Sequence, residues 1–224
     1  TQPTARIVDI SGNLTASTAS VVVSSSGATL GGTKTKAAIA GTATFTDLSL
    51  TGTVGSYTLT FASSGLTSGV ANITLTAGGA TQLSIVVAST LVNDTVFATQ
   101  PVVTIKDASG NTVIDGSQST QTVTLSSADS TIGGTVSMHA VNGVANFSGK
   151  GIKLTGLVGA RTLTATIASP STITKDATVT ITYGAAVALS VSPTSINANS
   201  GQAFATQPTV TVVDVSGNKV DNST

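Results

Sequence analysis

The chain of 224 residues sets nine Lys or Arg against nine Asp, with no Glu, so its net charge is zero and only 8% of its residues are charged. Globular domains usually carry about 25%, and the clustered basic footprint that a nucleic-acid binder needs is excluded. Its apolar content of 40% suffices for cores, but the longest apolar run, residues 185–189, is far short of the roughly 18 residues that a membrane-spanning helix needs; with no Cys and one His, disulfides and thiolate metal sites are ruled out and a nucleophilic Ser or Thr lacks a base, so no enzyme is expected.

The chain opens on Thr1-Gln2-Pro3, a strand-like run and Asp9-Ile10-Ser11-Gly12-Asn13. The same phrase, with Phe-Ala in front of it, returns at residues 97–111 and at 204–218. Landmarks between the copies keep step: Gly31-Gly32 matches Gly133-Gly134, Gly41 matches Gly143, Phe45 matches Phe147, and Gly52 and Gly55 match Gly156 and Gly159. A self-similar unit of about a hundred residues is a folding module repeated in series. Small insertions separate some landmarks, as loops tolerate, whereas the step from Leu75 to Leu83 equals that from Ile181 to Leu189, so the joint keeps its length.

The expected organisation is a first repeat over residues 1–78 that lacks its first strand, a complete repeat over 79–184, and the first two strands of a third over 185–224. Because the chain begins and stops within repeats and starts with Thr, it is expected to be a window of a longer polypeptide. The alternative is that a neighbouring chain completes residues 1–78 by strand addition.

In the complete repeat, Leu83, Ile85 and Val87 alternate with Gln82, Ser84 and Val86, Val103 and Ile105 with Thr104 and Lys106, and Val123 and Leu125 with Thr122 and Thr124. Each run predicts a strand with one buried face. Val141-Asn142-Gly143-Val144 predicts a hairpin joining two strands that end near Phe147, because Asn-Gly supplies the positive φ angles of a type I′ turn. Residues 162–167 and 178–183 predict a last pair, with Leu163, Ala165 and Ile167 set against Val179, Ile181 and Tyr183. The 42 Thr and 29 Ser supply the polar faces, Thr in particular suiting a pleated, half-exposed surface. About seven short strands per complete repeat predict an all-β fold of tandem immunoglobulin-like β-sandwiches.

Asp-x-Ser-Gly-Asn after a strand, then Gly143-x-Ala145-x-Phe147, then Leu154-Thr155-Gly156-x-x-Gly159-x-x-Thr162-Leu163-Thr164, resembles the bacterial Ig-like tandem repeats of invasin- and intimin-type surface proteins. The first repeat reads Gly41-x-Ala43-x-Phe45, Leu50-Thr51-Gly52-x-x-Gly55 and Tyr57-Thr58-Leu59-Thr60. One departure is that Arg161 stands where the first repeat has Tyr57, so an aromatic corner is not kept. The resemblance covers the whole chain and implies an extracellular, cell-surface location and a structural role: an adhesin stalk, filament or surface-layer component acting as a semi-rigid spacer or assembly unit. Zero net charge weakens repulsion between copies, so homotypic assembly into a fibre or layer is expected; a host or surface receptor would be met through parts outside this chain. The alternative is a glycan- or receptor-binding module, against which stand the lack of Trp and an aromatic content of 3%.

Asp9, Asp107 and Asp214 each open an Asp-x-Ser-Gly-Asn run and could offer calcium a carboxylate and an amide oxygen. One carboxylate per loop is a poor set, and Asp and Asn flanking Gly are turn formers that bond their own backbone. Asp47 and Asp94 add no cluster. His139 stands where the first repeat has Ala37 and reads as a strand histidine; Lys34 and Lys36 read as solvated side chains. A Lys-Asn crosslink would need a repeated pair, but Lys106 aligns with Val8 and Val213. Asn13, Asn72, Asn93, Asn146 and Asn222 begin Asn-x-Ser/Thr triplets, which permit glycosylation without indicating it. No catalytic, cofactor-binding or metal residue is expected, and no cofactor.

Overall fold

The structure, a computed structural model, describes residues 1–169 and 171–221, so Asn222 lies outside the described residues. The chain divides into two compact units, one of Thr1–Gly78 with Asp107–Asn111 and one of the remaining residues from Gly79 onward.

In the first unit β1 (Thr4–Arg6), β2 (Ser20–Ser25), β3 (Thr29–Gly31), β4 (Thr35–Ala37), β5 (Thr42–Thr44), β6 (Ser49–Thr51), β7 (Gly55–Ala62) and β8 (Gly69–Leu75) follow in order. The sheet β4-β2-β7-β8 is accompanied by the pairs β1-β5 and β3-β6. Alternation decides what is inside: on β2, Val21 and Val23 are buried while Val22 and Ser24 face out. Leu59 of β7, Ala43 of β5 and Phe45 join them in one cluster, and the Phe45 ring lies 5.6 Å from that of Phe61, tilted by 57°, an arrangement that aromatic quadrupoles favour.

The second unit carries β9 (Gln82–Val86), β10 (Thr90–Val92), β11 (Val102–Lys106), β12 (Thr122–Ser126), β13 (Thr131–Gly133), β14 (Ser137–His139), β15 (Val144–Asn146), β16 (Lys153–Thr155), β17 (Gly159–Ile167), β18 (Ile173–Thr182), β19 (Ala188–Ser192) and β20 (Thr209–Val213). One sheet runs β10-β18-β17-β12-β14 and the other β15-β11-β9, with β13-β16 and β19-β20 as separate pairs. The segment of residues 82–92 gives a strand to each main sheet: β9 lies antiparallel to β11, and β10 parallel to β18. Val103 and Ile105 of β11, Val123 and Leu125 of β12, Leu163, Ala165 and Ile167 of β17, and Val179 and Ile181 of β18 close on Phe147 and Leu154 in one core. This is an immunoglobulin-like sandwich, and β11 to β18 repeat β1 to β8 element by element.

Three details differ from the sequence reading. The complete repeat has three further strands, β10, β13 and β16, each of three residues, too short to show a period of two. The Asn142-Gly143 turn has positive φ at both residues, 48° and 75°, and Val141 and Val144 exchange backbone hydrogen bonds of 2.9 and 3.0 Å, but the hairpin is one rung deep. β14 goes to β12 and β15 to β11, so the turn crosses between sheets. In the last pair Leu163 faces Ala177 and Ile167 faces Ile173, while Val179 faces Arg161.

The corner position is kept in function though not in side chain. Tyr57 Oη donates to Thr53 O at 2.8 Å, and Arg161 Nε donates to Leu157 O at 3.0 Å; both bonds reach the carbonyl four residues back.

The first repeat makes the same sheet-crossing turn with Ala40 at φ 47° and Gly41 at φ 77°. A Cβ at Gly41 would collide with Thr15 O, but the exposed Ala40 holds a left-handed conformation that costs a non-glycine L-residue about 1–2 kcal/mol. Ala40→Asn, which copies Asn142, is expected to stabilise the first unit by about 0.5–1 kcal/mol, read as a rise in its denaturation midpoint; an unchanged or lowered midpoint would contradict the turn geometry.

Candidate functional site

The three Asp-x-Ser-Gly-Asn loops fold alike because the Asp side chain substitutes for a backbone turn. Asp9 Oδ1 accepts Ser11 N–H and Asn13 N–H at 2.9 Å each, and Oδ2 accepts Asn13 Nδ2 at 3.1 Å. Asp107 Oδ1 accepts Ser109 N–H and Asn111 N–H at 2.9 Å, and Oδ2 accepts Asn111 Nδ2 at 2.9 Å. At Asp214 the donors are Ser216 N–H, Asn218 N–H and Asn218 Nδ2, at 2.9, 3.0 and 2.9 Å. Gly supplies the positive φ that the loop needs, at 83°, 83° and 80° for Gly12, Gly110 and Gly217. This is the self-bonding turn that the residue types suggest.

Two of the three loops bond further. Within the first unit Asp107 Oδ2 also accepts Gly78 N–H at 2.9 Å, Asn111 Oδ1 accepts Val54 N–H at 2.9 Å, and Asn111 Nδ2 donates to Gly52 O at 2.9 Å. Within the second unit the same set recurs at the matching positions. Asp214 Oδ2 accepts Gly184 N–H at 2.9 Å, Asn218 Oδ1 accepts Val158 N–H at 2.9 Å, and Asn218 Nδ2 donates to Gly156 O at 3.0 Å. Asn93 adds to the second set: its Nδ2 donates to Asp214 Oδ2 at 2.8 Å and Ser216 Oγ at 2.9 Å, and its Oδ1 accepts Gly156 N–H at 2.9 Å. A Cβ at Gly184 would come within 2.7 Å of Asn93 O, so glycine is required there. Asp107 and Asp214 are only 5% and 2% exposed. Asp9 and Asn13 are exposed, and among the described residues their side chains bond only within the loop.

Electrostatics follow the donors. Asp9 is held below the ordinary carboxylate range by the Asn13 side chain first and then by backbone N–H groups. At Asp107 burial pushes upward, but the Asn111 side chain and the Gly78, Asn111 and Ser109 N–H groups outweigh it and the net shift is downward. At Asp214 burial is again the largest influence and raises the value, yet Asn218, Gly184 and Asn93 together pull it far below the usual range. Carboxylates so placed are fixed anions whose oxygens face N–H donors, which a calcium ion would have to displace.

The other candidates lie apart from these loops. Asp47 accepts Thr33 N–H and Oγ1, and Asp94 pairs with Lys153 Nζ at 2.7 Å and Thr155 Oγ1 at 2.9 Å. His139 is exposed on β14 with Nδ1 3.1 Å from Thr122 Oγ1, and Lys34 and Lys36 are exposed. Among the described residues no three His or Asp draw together as a metal site would require. Sequence reasoning missed Asn93, which stood out only as a glycosylation triplet, and the backbone of Gly52, Val54, Gly156 and Val158. The matching Gly-x-Val spacing and the matching Gly78 and Gly184 were the available signals.

No family model and no curated protein sequence matches the chain. Solved structures similar to it include a glycosyl hydrolase family 2 member from Bacteroides cellulosilyticus, with TM-score 0.37 and 16% identity over 73% of this chain and 21% of that one. Invasin, a bacterial integrin-binding protein, is similar with TM-score 0.38 and 18% identity over 97% of this chain and 43% of its own. Surface layer protein SbsC, domains 4–9, gives TM-score 0.32 and 16% identity over 96% and 31%. The chain therefore spans less than half the length of each. These likenesses are of fold alone; strand order, register and repeated motifs make the chain a tandem of immunoglobulin-like β-sandwiches.

Proposed function

We propose that the chain is the structural repeat region of an extracellular surface protein, an adhesin stalk, filament or surface-layer component, in which residues 1–78, 79–184 and 185–224 are successive repeats. The Asp107 and Asp214 loops are clasps, each tied to backbone groups of the unit that holds it. The observation that carries this is the recurrence of one bonding set: Asp and Asn are buried at both loops and bonded to the same Gly, Val and Gly backbone positions. Loosening either loop would strand buried donors and acceptors, at about 1–3 kcal/mol for each group left unsatisfied. Turns held in this way stay folded through their own side chains, as repeats that serve as structural material must. The setting at the cell surface is the one that the motif resemblance implies.

Hydrogen exchange tests the clasps. The Asn111→Ala/Asn218→Ala double variant is expected to lose protection at the Val54 and Val158 amides, which donate to Asn111 Oδ1 and Asn218 Oδ1, whereas Asn13→Ala, in the exposed loop, leaves both unchanged. Undiminished protection of Val54 and Val158 in the double variant would sink the reading.

A further inference from the structure

We infer that the second unit bears tension along the chain, through a clamp of β10 against β18 that the Asp214 carboxylate pins at one end. The two strands run parallel, with Thr90 opposite Thr180, Leu91 opposite Ile181 and Val92 opposite Thr182. The chain therefore enters the pair at the Thr90 end of β10 and leaves it at the Thr182 end of β18. It continues on both sides, and a pull on the two flanks drives the strands past each other along their own axes. In such shear every rung is loaded at once, whereas two antiparallel strands drawn apart sideways give way one rung after another. The pairing extends past the three registered positions: Thr180 N–H donates to Ser89 O at 2.8 Å, and Asn93 N–H donates to Thr182 O at 2.9 Å. Leu91 and Ile181 are 4% and 1% exposed and belong to the unit's core, so a slip of one residue would turn Leu91 out of it.

Just past the pair, both strands are held by one atom. Asp214 Oδ2 accepts Asn93 Nδ2 at 2.8 Å and Gly184 N–H at 2.9 Å, so a single carboxylate oxygen joins the residue after β10 to the chain leaving β18. Asn93 and Asp214 are both buried, which keeps water from taking over these bonds as they stretch, and hydrogen bonds to an ionised acceptor are roughly twice as strong as neutral ones. Asn93 Oδ1 also accepts Gly156 N–H at 2.9 Å. The next residue is fastened too: Asp94 N–H donates to Leu154 O at 3.1 Å, and Asp94 Oδ1 accepts Lys153 Nζ at 2.7 Å. Drawing β10 lengthwise has to strip this end as well as the parallel rungs. The inference rests on the structural role proposed above and adds the direction in which that material is strong; its failure would leave the exchange of the Val54 and Val158 amides, by which that role is tested, as it is.

Single-molecule pulling on the full chain at constant force tests it. The sequence has no Cys, so introduced thiols are unique attachment points. Ser89→Cys/Val187→Cys, at exposed positions flanking the clamp, loads β10 and β18 lengthwise; Ala160→Cys/Thr178→Cys, also exposed, draws the antiparallel β17 and β18 apart sideways. At the same force the sideways pair is expected to open about tenfold or more faster, because the lengthwise barrier breaks several rungs together. Adding Asn93→Ala is expected to speed the lengthwise opening by about tenfold or more and to leave the sideways opening unchanged, which a general loss of stability would not do. Equal rates in the two directions overturn the inference, and that comparison needs no change within the clamp. An Asn93→Ala change that leaves the lengthwise rate unaltered, or speeds both directions alike, overturns it too.

Discussion

Phe147→Ala is expected to destabilise the second unit by about 3–5 kcal/mol, the usual cost of truncating a fully buried phenylalanine to alanine. Phe147 is completely buried and belongs to the core that both main sheets share. Its backbone is held on either side of the ring: Phe147 N–H donates to Pro101 O at 3.0 Å, and Phe147 O accepts Lys150 N–H at 2.9 Å. The backbone bearing it, just past β15, therefore cannot shift readily to refill the space, and the removed ring leaves a cavity as well as a loss of burial. Denaturant unfolding followed by circular dichroism is the measurement, with the first unit as internal reference, since its core is a separate cluster. Phe61→Ala in that unit, on a ring that is already half-buried, should cost only about 1–2 kcal/mol, because less area is re-exposed. A Phe147→Ala cost below that of Phe61→Ala would mean that the second core is not closed around this ring.

The parts of the fold that were legible in the sequence are those in which one strand repeats its pattern at least once. β11 and β12 each place two aliphatic residues inward at alternate positions, Val103 with Ile105 and Val123 with Leu125, and a period of two is visible. β10, β13 and β16 offer one inward residue each, so nothing repeats. The first half of β18 holds Lys175 and Asp176 where it is exposed, which concealed the strand until Val179 and shifted the expected pairing of β17. Register depends on the hydrophobic pattern as well as on turn geometry, and the largely exposed first half of β18 offers no such pattern. Asn142-Gly143 announced its positive φ angles, but which sheet each arm joins is a tertiary matter.

The loops divide along the same line. Asp-x-Ser-Gly-Asn was legible as a turn because donor and acceptor lie within five residues of one another. Its longer-range partners are peptide N–H and C=O groups at Gly52, Val54, Gly156 and Val158, and a peptide group has no identity in a sequence. Asn93, a side-chain partner at distance, lies 121 residues from Asp214.

Removing the Asp214 carboxylate should free the third segment. Asp214 accepts five hydrogen bonds, from Ser216 N–H, Asn218 N–H, Asn218 Nδ2, Gly184 N–H and Asn93 Nδ2. Asp214→Ala leaves several of these donors buried without an acceptor, at about 1–3 kcal/mol each, so a loss of about 3 kcal/mol or more is expected in the protection of the Gly184 and Asn218 amides against hydrogen exchange. Asp9→Ala, in the exposed copy of the same turn, should leave stability nearly unchanged. Acid provides an independent test. The folded-state value of Asp214 lies far below that of an unfolded aspartate, which is about 3.9; the carboxylate's stabilisation is therefore fully present above that value and declines as pH falls beneath it toward the folded one. After correction for intrinsic exchange, protection of Gly184 should be level from neutrality down to about pH 4 and fall below it, and Asp214→Asn should remove that part of the acid dependence. A decline that sets in near neutrality, or one that Asp214→Asn leaves in place, would assign the titration to a different group and break the link between this carboxylate and the joint.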